Sequence, residues 1–291
     1  VVKERKRQQR EIRSIYRPES QMRRPLQLFT LMGRDLLASR ELAFQLLKRD
    51  ISAQYRQSFL GIAWAIIPPI IAAVGFTLAA NSKVINIGAT DLPYPAYVMF
   101  STALWQTFVE AMTIQLQLIT QAKMMLARIR FPHEALILAG VGQVLFNLAF
   151  KLLLIVAMFF WFQIPVTWSV VLAPVALVHL ICLGTFIGVL LAPLSALYQD
   201  FTKALTVSTG LWLFLTPVVY PIPSGTGVFG TIVKLNPVTP LLVTTRELAT
   251  TGIISNPSGF WIASVVAIAG LLIAWLIYRL AMPYVIERIS S

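Results

Sequence analysis

The sequence predicts an all-α polytopic membrane protein. Hydrophobic residues make up 57% of its 291 positions and charged residues only 12%, against roughly 45–50% and about 25% in soluble domains. The apolar residues also gather into runs near the ~20 residues that a bilayer-crossing helix needs. The charges are crowded at one end: residues 1–58 hold 14 of the 24 Lys/Arg and 6 of the 12 Asp/Glu. A soluble fold of this composition would lack a polar surface, whereas lipid can solvate the surplus apolar one.

Taken in chain order, residues 1–35 read as a basic, polar, weakly ordered arm with no core of their own. Residues 36–58 read as an amphipathic helix in the membrane interface. Phe44, Leu47, Ile51 and Tyr55 recur at helical spacing on one face, and Glu41, Gln45, Lys48, Ser52 and Arg56 on another. A soluble helix resting on another subunit would show the same pattern. Six spans follow, at about 59–80, 96–118, 135–161, 169–194, 204–219 and 259–278, within a transmembrane domain of 59–283 and ahead of a short tail at 284–291. Between the fifth and sixth spans, residues 220–258 combine prolines and glycines with apolar runs too hydrophobic for a free aqueous loop. Bent backbone at membrane depth survives where protein covers it or where it lines a cavity. Two short re-entrant helices, broken near Asn236-Pro237, are therefore expected.

Topology follows from the basic residues, which favour the cytoplasmic side. With both termini inside, 20 Lys/Arg fall inside and three outside, namely Lys83, Lys234 and Arg246. No cleavable leader is expected, because the first long apolar stretch begins only near Phe59. The net charge of +12 could suggest nucleic acid. Its placement just ahead of the first span instead suits membrane lipid headgroups, and no nucleic-acid partner is predicted.

Polar residues inside spans are functional suspects. Gln106, Glu110, Thr113 and Gln117 form one stripe on the second span. Gln143, Asn147 and Lys151 form another on the third, within which Glu110 and Lys151 could pair. Such stripes line a wet path or join helices by hydrogen bonds. Trp64, Phe76, Trp105, Phe108, Trp212 and Phe214 could offer flat faces to sugar rings, or could simply pack. Trp161, Trp168 and Trp261 suit interface belts. His179 reads as a packing residue bonded to a neighbour, and Cys182 as a small buried hydrophobe. With His133 and His179 the only histidines, no metal-ligand spacing exists.

Three segments carry a family resemblance. Arg49-Asp50-Ile51-Ser52-Ala53-Gln54-Tyr55-Arg56-Gln57-Ser58-Phe59-Leu60-Gly61-Ile62-Ala63-Trp64, closing on Pro68-Pro69, resembles the RD-(x)-YRQS-x-LG-x-x-W signature of polysaccharide and teichoic-acid ABC-2 permeases. Lys123 through Arg130-Phe131-Pro132 is similar to that family's basic segment after the second span. Tyr198-Gln199-Asp200-Phe201, Thr216-Pro217-Val218-Val219-Tyr220-Pro221, Leu235-Asn236-Pro237 and Arg246 resemble its later elements.

The resemblance implies a homodimer in the bacterial inner membrane, paired with two separate cytoplasmic ATPase subunits that carry ATP and Mg. The cargo it implies is a lipid-linked glycan such as O-antigen, capsule or teichoic acid. This sequence has no G-x-x-x-x-G-K-[ST] phosphate loop, in keeping with an energy source on another chain and with no cofactor or catalytic residue here.

In that frame Arg56, with Leu60 and Gly61, is the candidate contact for the carrier pyrophosphate, assisted by Arg49 and Lys48; a guanidinium fork suits phosphate oxygens. Lipid-headgroup anchoring would use the same residues. Lys123, Met124, Met125, Arg128 and Arg130 are the candidate ATPase-coupling residues, although the same charges also fix topology. Pro217, Tyr220, Asn236, Pro237 and Arg246 form the candidate outer gate. An ABC-2 permease for a small molecule or drug is the nearest alternative. A polyprenyl-lipid membrane enzyme is the more distant one, since Asp200 and Glu134 at one face, and Asp91 and Glu247 at the other, read as isolated.

Overall fold

The computed structural model describes residues 25–56, 58–83, 88–126, 131–223 and 227–290. Among them every regular element is helical. They are α1 (Pro25–Ala38), α2 (Arg40–Arg56), α3 (Ile67–Asn81), α4 (Tyr94–Leu126), α5 (Glu134–Trp161), α6 (Ala173–Leu197), α7 (Asp200–Phe214), α8 (Val228–Leu235), α9 (Val238–Ala249) and α10 (Pro257–Ser290), with 3₁₀ segments at Gly61–Ala65 and Trp168–Leu172.

Three stretches are long and apolar enough to cross a membrane: Glu134–Trp161, Trp168–Leu197 and Pro257–Arg288. A fourth candidate is the α8–α9 pair, bent by 74° at Asn236-Pro237. The other expected spans depart from that pattern for visible reasons. The 33 residues of α4 reach about 50 Å, but its polar stripe lowers its hydropathy. The first expected span is divided. Pro68 and Pro69 occupy the first turn of α3, where a missing N–H costs nothing, so the α-helix begins there and the preceding residues wind as 3₁₀. Gly61 enters this segment at φ +50°, a conformation that glycine adopts freely.

The centre of the bundle is α6, packed against α4 and α10. Gly184 and Gly188 let α4 approach closely. A Cβ on Gly184 would lie 2.6 Å from the Phe108 carbonyl oxygen, and one on Gly188 would collide with the Met112 carbonyl oxygen. Small residues four apart bring membrane helices into backbone contact, and because both contacts advance together the two helices run in parallel. Tyr97, Phe108, Met112, Leu180 and Leu183 fill the resulting core. Trp161, Trp168 and Trp261 are all exposed.

The face of α2 is the expected one at Leu47, Ile51 and Tyr55, which are half-buried, and departs from it at Phe44. Ala43 and Leu46 are buried, and Leu47 packs close to Gly142 of α5. Phe44, expected on the apolar face, is 68% exposed. Small residues sit inward because α2 lies closely along α5, so the large ring is turned outward. Helical order also begins within the expected arm, since α1 starts at Pro25. Arg279 of α10 fastens that helix: it reaches Asp35 at 2.6 Å and Glu134 at 2.9 Å. Glu134 is thus ion-paired rather than isolated.

Candidate functional site

The two polar stripes meet. Lys151 of α5 is fully buried, and its Nζ lies 2.7 Å from Glu110 Oε1 of α4 and 3.5 Å from Thr107 Oγ1. Asn147 donates to Glu110 Oε2 at 3.4 Å and accepts from the Tyr55 hydroxyl of α2 at 2.9 Å. One turn further along α5, Gln143 donates to Gln54 Oε1 at 2.8 Å. Three helices therefore share one polar seam whose members largely satisfy each other. Gln106 and Thr113 are half-buried beside it, and Gln117 accepts from Gln121 at 3.2 Å. A buried ion pair survives in apolar surroundings only with such close partners. Gln115, absent from the expected stripe, is fully buried and donates to the Ile137 carbonyl at 3.1 Å. It belongs to the α4–α5 contact rather than to the seam.

Where α2 ends, the chain presents a mixed surface. Arg56 is exposed and has no polar partner among the described residues, and Lys48 is exposed as well. Arg49 is committed elsewhere: its guanidinium holds Asp50 at 2.7 Å and touches Met125 Sδ at 3.9 Å. Beyond Arg56, Leu60 and Trp64 are exposed by 43% and 58%. The Gly61 N–H is fixed by Ser58 Oγ at 2.9 Å. Of the expected coupling residues, Lys123 and Met124 are exposed and Met125 is half-buried at the end of α4. Arg128 and Arg130 lie outside the described residues.

At the opposite end, every residue of α9 is buried. Arg246, counted on the outer side and in the candidate outer gate, is only 4% exposed. Its Nη1 donates to Ser101 Oγ at 2.8 Å, and its guanidinium lies 4.1 Å from the Tyr97 ring centre, a cation–π contact that compensates burial. The Tyr97 hydroxyl in turn donates to the Tyr220 and Pro217 carbonyls at 2.8 and 3.2 Å, and Tyr94 donates to the Val219 carbonyl at 2.9 Å. The Tyr220 hydroxyl donates to the Phe214 carbonyl at 2.8 Å, and burial, seconded by Tyr97, pushes it up to about 12.

Asn236 ties the break in the bent pair to the end of α7. Its amide donates to the Leu215 carbonyl and to Thr216 Oγ1, and its Oδ1 accepts from Trp212 Nε1 and the Val238 N–H, all within 3.1 Å. Pro237 follows as the cap of α9. Trp105, Phe108 and Trp212 form one aromatic cluster with centroids 5.4–6.3 Å apart, Trp212 meeting the other two edge to face. Phe76 packs against the same core cluster, and Trp64 is 58% exposed. His179 donates from Nδ1 to the Val175 carbonyl at 2.7 Å, beside Phe260.

A long α4–α6 core, a bent helix pair closing one end and an amphipathic helix at the other define a membrane transport subunit. The ABC-2 type transporter family matches residues 41–248, and the chain belongs to that family. Among its relatives is the O-antigen export system permease protein RfbA of Myxococcus xanthus. It is 28% identical over 195 residues, covering 65% of this chain and 72% of the relative. The protein of the same name from Klebsiella pneumoniae is 19% identical over 215 residues, covering 71% and 79%.

Proposed function

We propose that this chain is the membrane subunit of an ATP-driven exporter carrying lipid-linked polysaccharide across the bacterial inner membrane. The observation that carries the reading is the likeness to two O-antigen export permeases over about two thirds of the chain. The family match of 41–248 supports it, because it contains both the Arg56 corner and the bent α8–α9 pair. Two copies of the chain form the conduit. Two cytoplasmic ATPase subunits, which bind ATP and Mg, drive it through Lys123, Met124, Met125 and the segment to Arg130.

In this reading α3, α4, α5, α6, α7 and α10 all cross the bilayer, both termini are cytoplasmic, and α8–α9 re-enters from outside. Arg56, exposed and unpaired among the described residues, grips the carrier pyrophosphate, while Leu60, Gly61 and Trp64 meet its lipid. Arg49 contributes only when it leaves Asp50. The seam of Glu110, Asn147 and Lys151 holds the access helix α2 to the conduit wall.

The test is ATPase activity of the purified permease–ATPase complex, with and without lipid-linked O-antigen glycan, in wild type and Arg56→Ala. Glycan should stimulate the wild type, and the variant should lose that stimulation at unchanged basal rate. No stimulation of the wild type would overturn the cargo assignment and favour a small-molecule exporter.

A further inference from the structure

A groove of about 520 Å³ opens on the side of the bundle where α5 and α6 converge on α9. Neither the seam nor the Arg56 corner uses it. Its floor is made by buried residues of three helices: Phe100 and Leu104 of α4, Leu148 and Ile155 of α5, and Leu177 and Ile181 of α6. Its edges are exposed, Leu152, Val156 and Phe160 on the α5 side and Val178 on the α6 side. Thr245 and Ala249 of α9 also line it. Thr245 brings the one polar side chain, and its hydroxyl is spent on the Leu241 carbonyl at 2.7 Å. Among the described residues no charged side chain lines the groove.

The setting decides what can fill it. Both α5 and α6 belong to stretches long and apolar enough to cross a membrane. The exposed edges are therefore part of the lipid-facing surface, and the groove is continuous with that surface. Trp161 at the end of α5 and Trp168 in the connection to α6 are exposed beside it, as residues of an interface belt are. Along α5 the lining runs from Leu145 to Phe160, about 22 Å at helical rise, against an ~30 Å hydrocarbon core. Over that length the volume leaves a cross-section of about 24 Å², far too narrow for a helix, which is about 10 Å across, and suited to one hydrocarbon chain. Water is excluded, because it needs polar partners that the walls do not offer.

We infer that this groove holds one acyl chain of a phospholipid from the leaflet at the α9 end, as a resident lipid distinct from the exchanging lipid around the bundle. Lipid tails are as apolar as leucine, so no hydrophobic gain draws the chain in. Contact does: a chain in the groove meets protein carbon on several sides instead of one, and each such contact adds dispersion attraction. A polyprenyl carrier would bring a phosphate as well as a chain, and the groove has no cation to meet it. Through Thr245 and Ala249 the resident chain touches α9, so it backs the bent helix pair from the lipid side. The inference needs only the membrane setting and stands apart from the export reading.

The test places the purified chain in nanodiscs of phosphatidylethanolamine and phosphatidylglycerol, with a trace of phosphatidylcholine carrying a diazirine in its acyl chain. After photolysis the labelled positions are mapped by mass spectrometry. Label should concentrate on the groove, at Val178 and its neighbours, and be far weaker at Val265 on the α10 surface, although the two valines are comparably exposed at 53% and 64%. Val178→Trp fills the groove from its lipid-facing edge and leaves the core alone. It should reduce labelling of the α5 edge about fivefold, the scale of about ten lost carbon–carbon contacts, while Val265→Trp leaves that labelling unchanged. Equal labelling of the two surfaces, or undiminished labelling in Val178→Trp, would overturn the inference. So would displacement of the probe by an equal amount of polyprenyl phosphate, which would make the carrier chain the occupant. Disulfide formation between two copies through Val178→Cys, in a Cys182→Ala background, would put a second copy there and overturn it as well.

Discussion

The two ends of the bundle are built on opposite terms. At the α9 end, polar groups are buried and bonded: Arg246 is enclosed by Ser101 and Tyr97, and Asn236 makes four hydrogen bonds across the break between α8 and α9. At the α2 end, Arg56, Leu60 and Trp64 are exposed, and a 3₁₀ segment rather than an α-helix joins α2 to α3. Burial with bonded partners fixes one geometry, because any departure leaves a polar group unsatisfied. Exposed cationic and apolar groups fix none, and are left for something outside the chain to meet. A buried, hydrogen-bonded α8–α9 plug at one end and an exposed corner at the other therefore follow from where hydrogen bonds form.

Breaking the seam that joins the receptive end to the core should have the largest effect. Lys151→Ala leaves Glu110 without its buried counter-charge and should cost about 3–5 kcal/mol, read as reduced stability in lipid nanodiscs. Glu110→Gln combined with Lys151→Met should recover most of it. A mutant series in which Lys151→Ala matches wild type would show the pair to be structurally idle. Next comes the plug. Asn236→Ala orphans Trp212 Nε1 and the Val238 N–H and should cost about 2–3 kcal/mol, with exchange of the Val238 amide hydrogen accelerated.

The contrast sharpens at Arg56. Its removal should alter stability by less than about 0.5 kcal/mol while abolishing glycan stimulation. A large stability loss there would erase the distinction between the two ends. The smallest effect is expected at His133, ahead of α5. Burial, seconded by Arg279, lowers its proton affinity from the ordinary 6.5. The unfolded chain then binds the proton more tightly, so stability should rise with pH up to about 6.5 and fall on acidification below it. His133→Gln should flatten that part of the pH–stability curve.

Much of this arrangement was legible in the residues. Long apolar runs marked α5, α6 and α10, and Asn236-Pro237 marked the break between α8 and α9. The Glu110–Lys151 pair was legible because each residue stood in a polar stripe at helical spacing on consecutive helices, which short loops place side by side. Phe44 misled because periodicity counts hydrophobicity and not size: where α2 lies close to α5, Ala43 and Leu46 fit and a phenyl ring does not. The burial of Arg246 was not legible because its partners, Ser101 and the Tyr97 ring, are more than 140 residues away.

The bridge at Arg279 has a consequence for how the chain is made. Asp35 and Glu134 precede it by 244 and 145 residues, so both carboxylates leave the ribosome well before the guanidinium that holds them. Until α10 is in place, Asp35 and Glu134 lack their shared cationic partner. A helix made late thus closes a clasp on one made early, and a chain truncated before residue 279 leaves both carboxylates without that guanidinium.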